Sequence, residues 1–296
     1  MPFRYDYRFD RTGILGARQP SGPRLPIVRK ERMNRTSLRI LFTAALALAL
    51  LALAACSSSG EQAPSKPAYV SPYDWSGLAK EDGRYTYAES GVICSLTGID
   101  VSEHQGAIDW NAVASDGIDF AFIRIGNRGA TEGAVYLDER YVENMTGARE
   151  AGIPVGVYFF SQAITAEEAL EEADFVLAML GDTELAYPIV YDHEPVAGIE
   201  GRADGLSREQ MTENALAFCT RIAEAGYEPM VYGNKRDIAR FDLSQLDGID
   251  VWFAEYGAAT PSGQFDFSIW QYANDGTVAG VSTAVDLNIL FIADAR

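Results

Sequence analysis

From Gly98 onward, short apolar runs alternate with stretches whose apolar residues recur at helical spacing, the rhythm of parallel strands joined by crossover helices. Eight runs read as strands, at 98–102, 119–126, 153–161, 187–194, 229–233, 250–255, 267–272 and 283–289. Two of the helices between them carry their own punctuation. Thr165-x-x-Glu168 opens one that stops at Gly181, and Ser207-x-x-Gln210 opens another that stops at Gly226. The links after the fifth, sixth and seventh runs are too short or too polar for full helices. The pattern predicts an α/β fold, an irregular (β/α)8-like barrel with some helices missing in the last third. A chain of 296 residues can close one such barrel around a single core without a second domain.

Ahead of the barrel the pattern changes three times. Arg35 and Arg39 precede an unbroken apolar run from Ile40 to Ala55, which has the charge-then-apolar order of a signal peptide and is short for a membrane span. The run ends in Leu53-Ala54-Ala55-Cys56, which resembles the bacterial lipobox, where the signal is cut before a cysteine that becomes diacylglyceryl-modified. The alternative is a cleaved soluble-export signal followed by an incidental cysteine. Residues 1–32 fit neither part of a signal and read as an over-extended frame ahead of Met33, so the signal is placed at 33–55. Residues 56–68 are small, polar and proline-rich, cannot bury a core, and read as a tether. Residues 69–97 bring in Tyr73, Trp75, Tyr85 and Tyr87 and predict a short hairpin laid on the barrel, which itself spans 98–296. The expected location is outside the cell, anchored to the bacterial membrane through lipidated Cys56 and facing the wall.

Charge is distributed unevenly. Of 24 Lys/Arg and 42 Asp/Glu, the first 55 residues hold ten basic and three acidic, so the exported part is strongly acidic. Beyond Lys235-Arg236 it has no basic cluster, and such a surface repels phosphate backbones, which excludes nucleic acid as a partner. With His104 and His193 as the only histidines, a multi-histidine zinc site is excluded, and no metal or organic cofactor is implied. Cys94 and Cys219 could pair in an oxidising compartment; Cys219 also falls on a helical stripe with Met211, Ala215, Phe218 and Ile222, which suits a buried free thiol.

In a barrel of this type the reactive groups gather at the carboxyl ends of the strands. Asp100 ends the first predicted strand, Asp192 and Glu194 end the fourth, Glu255 ends the sixth and Asp286 lies in the eighth. Tyr191-Asp192-His193-Glu194-Pro195 is the sharpest element, because residues i and i+2 of a strand share a face with their Cα atoms about 6.6 Å apart. Asp192 and Glu194 should face one cavity, with His193 turned toward the helix layer. Carboxyls brought together raise one another's pKa, which keeps an acid protonated for general-acid work near neutral pH. Two solvated acids at a strand end are the plain alternative; the apolar Pro188-Ile189-Val190 leading into them weakens it.

Gly98-Ile99-Asp100-Val101-Ser102 with Gln105-Gly106 and Asp109-Trp110 resembles the opening motif of the glycoside hydrolase family 25 lysozymes, of the Chalaropsis type. Gly156-Val157-Tyr158-Phe159-Phe160-Ser161-Gln162, then Asp192 and Glu194, then Trp270-Gln271-Tyr272 and Val285-Asp286-Leu287-Asn288 continue the likeness in order to the end of the chain. The resemblance implies a muramidase that hydrolyses the β-1,4 bond from N-acetylmuramic acid to N-acetylglucosamine in peptidoglycan, acting as a monomer on the glycan strands. It implies Glu194 as general acid and Asp192 as nucleophile or as the group that steers the substrate's acetamido arm. Asp100 and Asp286 complete the acidic cluster, and Tyr158, Tyr232, Trp270 and Gln271 would contact sugar. A glycan-binding lipoprotein without activity is the competing expectation.

Overall fold

The structure, a computed structural model, describes residues 68–292. The expected signal segment, Cys56 and the tether as far as residue 67 lie outside the described residues. In chain order the described part opens with β1 (Leu78–Glu81), β2 (Arg84–Glu89) and β3 (Val92–Ile93), a three-stranded antiparallel sheet. Then follow β4 (Ser95–Val101), α1 (Trp110–Ser115), β5 (Phe120–Arg128), β6 (Val135–Leu137), α2 (Tyr141–Glu150), β7 (Val155–Phe160), α3 (Ala166–Leu180) and β8 (Ile189–Asp192). The chain finishes with α4 (Arg208–Glu224), β9 (Pro229–Asn234), the single-turn α5 (Lys235–Ile238), β10 (Asp250–Ala254), β11 (Ile269–Gly276) and β12 (Val285–Phe291).

Eight strands close into a barrel in the order β4, β12, β11, β10, β9, β8, β7, β5, with β5 pairing back to β4 and β6 added at the edge of β5. Neighbours are parallel from β4 through β5, β7, β8, β9 and β10 to β11. β12 is the exception to the expected parallel set, running antiparallel to both β11 and β4. The cause is the short link from Gly276 to Val285, since a parallel return needs a crossover of about a dozen residues or more. A hairpin is all that link allows, so β12 starts at the face where the parallel strands end. Between β10 and β11 no helix intervenes, and the one after β9 is a single turn, as the sequence pattern leads one to expect.

Strand alternation sorts the side chains into two cores. Inside the barrel, Phe120, Phe122, Val190, Met230, Trp252 and Ile269 pack into a plug, with Leu96, Tyr158 and Leu290 at its borders. Gly98 and Gly156 make room for the two phenylalanine rings: a Cβ at Gly98 would lie 2.3 Å from Phe120 ring atoms, and one at Gly156 2.4 Å from the ring of Phe122. Outside, Ile99, Ile123, Val157, Tyr191, Val231 and Phe253 face the helices. The two long helices begin as their caps predict, Thr165 Oγ1 accepting from Glu168 N and Ser207 Oγ from Gln210 N. The stripe of α4, Met211, Ala215, Phe218, Cys219 and Ile222, is buried, and Cys219 and Cys94 are both free thiols.

Before the barrel, aromatic side chains fasten the small sheet to the underside. The Tyr73 ring centroid lies 4.6 Å from that of Phe291, and Trp75 stacks on Phe267 at 6.1 Å. Arg84 is paired with Asp116 just past the end of α1.

Candidate active site

The plug fills the barrel only as far as its upper layer, and above it the strand ends open into a cleft of about 500 Å³. Each carboxyl on its floor owes its place to alternation. Leu96, Gly98 and Asp100 are successive inward positions of β4, so the strand that presses a leucine into the plug delivers an aspartate to the cleft. Leu290, Asn288 and Asp286 do the same on β12, read backwards because the strand is reversed. Asp286 stands opposite Asp100 in the antiparallel register. On β8, Val190 packs inward, Asp192 follows at the cleft, and Glu194 is two residues further, just past the strand end; Asp100, Asp192, Glu194 and Asp286 all line the cleft.

A connected set of amides and rings holds the floor. Gln271 Nε2 and Asn288 Nδ2 both donate to Asp100 Oδ2, at 2.7 and 2.8 Å. Asn288 Oδ1 in turn accepts from Trp252 Nε1 at 2.8 Å, which fixes the amide's orientation. Gln271 Oε1 accepts from the hydroxyls of Tyr232 and Tyr256, at 2.7 and 2.6 Å. Burial of so many polar groups is tolerated because each is bonded to the next. Asp192 is held differently: the residue lines the cleft, but its buried Oδ1 has no hydrogen-bond partner among the described residues.

These surroundings make each of the acids harder to ionise. Burial lifts Glu194 to about 7, and the charges of Asp237 and Asp100 push the same way. Burial also raises Asp192 well above the usual carboxylate range, helped by Glu194 and Asp100. Asp100 and Asp286 divide unequally. Burial lifts Asp100 to about 6 against the two amides that hydrogen-bond its charged form, whereas Asp286 rises to about 9 through burial and the adjoining charge of Asp100. The two carboxyls, opposed in the antiparallel register, titrate as a pair, and Asp286 is the one raised further. His193 does nothing to neutralise the cluster: it is fully buried on the outward face, its ring lies beside that of Tyr191, and burial depresses it to about 4.

Of the sequence-predicted site residues, Glu194, Asp192, Asp100, Asp286, Tyr158, Tyr232 and Gln271 all line the cleft. Trp270 does not, and is a correction. It is fully buried on the outer face, its ring centroid 4.8 Å from that of Tyr85 and its Nε1 donating to Glu255 O at 2.9 Å. Adjacent strand residues cannot share a face, so Gln271 inward forces Trp270 outward. Glu255 is a second correction, since its carboxylate turns away from the cleft to accept from Ser262 N at 2.7 Å and to pair with Lys235 at 3.5 Å.

Several cleft residues escaped the sequence reading. Trp252 and Tyr256 provide aromatic surface there, and Arg124 lies beside Tyr158 with its Nε donating to buried Asp138 at 2.7 Å. Arg124 left a signal, a charge inside the apolar run Phe120-Ala121-Phe122-Ile123, and such a charge is kept in a strand only where it has partners or a cleft. Asn288 ends the motif Val285-Asp286-Leu287-Asn288, but its hold on Asp100 is visible only in three dimensions. Asp237, buried on α5 behind the acids, left no signal in sequence. Among the described residues, no group of three or more His, Cys, Asp and Glu side chains is placed to hold a metal ion.

Comparison with known proteins bears on this arrangement. The family model for glycosyl hydrolases family 25 matches residues 99–281. The chain is similar to the autolytic lysozyme of Clostridium acetobutylicum, 28% identical over 193 residues that make up 65% of this chain and 55% of that protein. It is also similar to lysozyme M1 of Streptomyces globisporus, 31% identical over 205 residues, 65% of this chain and 67% of the relative. Among solved structures, the bacterial lysozyme from Streptomyces coelicolor superposes with a TM-score of 0.56 at 28% identity, over 68% of this chain and 93% of that one. The matched segment thus spans little more than half of the clostridial relative.

Proposed function

The chain belongs to glycosyl hydrolases family 25, and from that membership we propose that it is a peptidoglycan muramidase that cleaves the β-1,4 bond between N-acetylmuramic acid and N-acetylglucosamine. The observation that carries the reading is the gathering of Asp100, Asp192, Glu194 and Asp286 on one cleft floor, with Glu194 lifted to about 7. A binding module would need the aromatic surfaces but has no use for a half-buried carboxyl that keeps its proton near neutrality. The clostridial and streptomycete relatives, both lysozymes by name, favour the same substrate.

In this reading Glu194 protonates the leaving glycosidic oxygen as the bond breaks. Asp192, deeper in the cleft, orients the acetamido group of the sugar so that its carbonyl oxygen attacks the anomeric carbon as the glycosidic bond breaks; water, giving its proton to Glu194, then attacks that carbon and opens the intermediate, and the two displacements together retain configuration. Asp100, fixed by Gln271 and Asn288, which both hydrogen-bond its charged form, stabilises the positive charge that develops on the ring. Tyr158 and Tyr232 offer faces to pyranose rings, and Gln271 holds the floor together. Digestion of purified wall tests both halves: new reducing ends should be N-acetylmuramic acid, and proton NMR should show the β anomer first. N-acetylglucosamine ends would overturn the substrate, and an initial α anomer would overturn retention.

The exported, anchored state belongs to the same proposal. Leu53-Ala54-Ala55-Cys56 supplies the attachment point, diacylation is the two-chain anchor that holds stably, and the enzyme works on the wall as a monomer. Cys56→Ser should lose incorporated fatty acid and leave the membrane fraction; unchanged labelling would remove the anchor.

A further inference from the structure

The main-chain ladder that carries β8 ends at Asp192, whose carbonyl accepts from Ser161 N at 2.7 Å. Two residues on, the carbonyl of Glu194 is taken by a side chain, as Gln162 Nε2 donates to it at 2.7 Å. The fully buried amide of Gln162 thus supplies one more rung beyond the sheet. No backbone donor follows at once, because the next residue is Pro195. Without Gln162, the backbone of Glu194 would leave the strand unrestrained.

Gln162 is itself braced. Its main-chain carbonyl accepts from Arg202 Nη1 at 3.2 Å, and the Arg202 guanidinium forks onto both carboxylate oxygens of Glu168 at 2.6 and 2.8 Å. Glu168 sits in the first turn of α3, whose cap at Thr165 ties it to the chain just after β7. Arg202 N donates to Ala130 O at 2.8 Å, so the same residue joins the loop after β8 to the loop after β5. Gly133, at φ +73°, makes the seat: a Cβ there would lie 2.7 Å from Arg202 Cζ. A bidentate ion pair in a fitted seat restrains far more than a loose surface pair.

We propose that Gln162 is a positioning residue that fixes the backbone of Glu194, and through it the reach of that carboxyl, with the Arg202–Glu168 pair as its brace. This rests on Glu194 being the proton donor. Misplacing a catalytic group by about 1 Å costs up to about a hundredfold in rate, so the effect falls on kcat and spares sugar binding.

The test uses the full chain and two substrates, wall glycan and a dinitrophenyl glycoside of the wall disaccharide, whose leaving group departs without a proton. Gln162→Met keeps the bulk and removes the donor. On wall glycan its kcat should fall about tenfold to a hundredfold with KM within about twofold, and on the dinitrophenyl glycoside the loss should shrink, as it should for Glu194→Gln. Arg202→Met should repeat the pattern more weakly, and it carries the test if Gln162→Met does not fold. An unchanged kcat, or an equal loss on both substrates, would overturn the positioning role. Near-normal turnover by Glu194→Gln on wall glycan would instead overturn the proton-donor reading on which it rests.

Discussion

The proposed proton donor, Glu194, has to keep its proton until the bond breaks, and burial beside other acids raises its carboxyl to about 7. Its value of about 7 sets the sign of the pH profile, with kcat falling as pH rises through about 7 and the proton leaves. Glu194→Gln should lower kcat on wall glycan by about 10²–10⁴ and abolish that alkaline limb while the melting temperature stays at or above the wild type, since it leaves the shape and, above about pH 7, removes a charge that the site disfavours. A wild-type profile that climbs through pH 7 would show that another group delivers the proton. The pairing of Asp192 with Glu194 was legible in the sequence, because a period of two is a property of any strand. What burial does to each was not, because it depends on Asp237 and Asp100 arriving from β9's following turn and from β4, far away along the chain. The same period of two sets Trp270 against Gln271: neighbours on one strand face opposite ways, so the two could not both have contacted sugar.

At the scale of elements, the sequence pattern located all eight barrel strands to within a few residues, and capping residues located the two long helices. Direction was harder to see. An apolar run looks the same read up or down, and only the length of a link tells parallel from antiparallel; the short span between Gly276 and Val285 held that information. The reversal matters for the site. Because β12 descends from the cleft, Asp286 lies at its beginning and meets Asp100 across the antiparallel register, so two acids from opposite ends of the domain raise one another's pKa. Tyr73 and Trp75, just ahead of the small sheet, pack on Phe291 and Phe267, and Tyr85 and Tyr87 of β2 pack on Trp270 and Phe291, which explains why those barrel rings are large and buried.

The whole molecule should be most stable in mild acid, and the sign follows from which acids are raised. Asp100, Glu194 and Asp286 have folded-state values of about 6, 7 and 9, and Asp192 is raised well above its ordinary range, each chiefly through burial. A carboxyl raised on folding contributes stability that is fully present below its unfolded pKa and is lost as pH rises through the folded one. His193, depressed to about 4 by burial, works in the opposite sense, costing stability as pH falls from its unfolded value of about 6.5 toward 4. One histidine against four carboxyls leaves the carboxyls in control above about pH 5. The net charge of −18 at pH 7 adds self-repulsion in the same direction. Melting temperature should therefore fall from about pH 5 to about pH 9, and salt separates the two causes. At about 1 M salt the Debye length is about 3 Å, so the surface repulsion disappears while the buried carboxyls remain, and a slope that survives belongs to them. Asp286→Asn should then reduce the part of that slope above about pH 7, because Asp286 keeps its proton to about 9. If the melting temperature in high salt were level or rising toward pH 9, the cleft acids would be ionised in the folded protein, and Glu194 could not be holding the proton that the reaction requires.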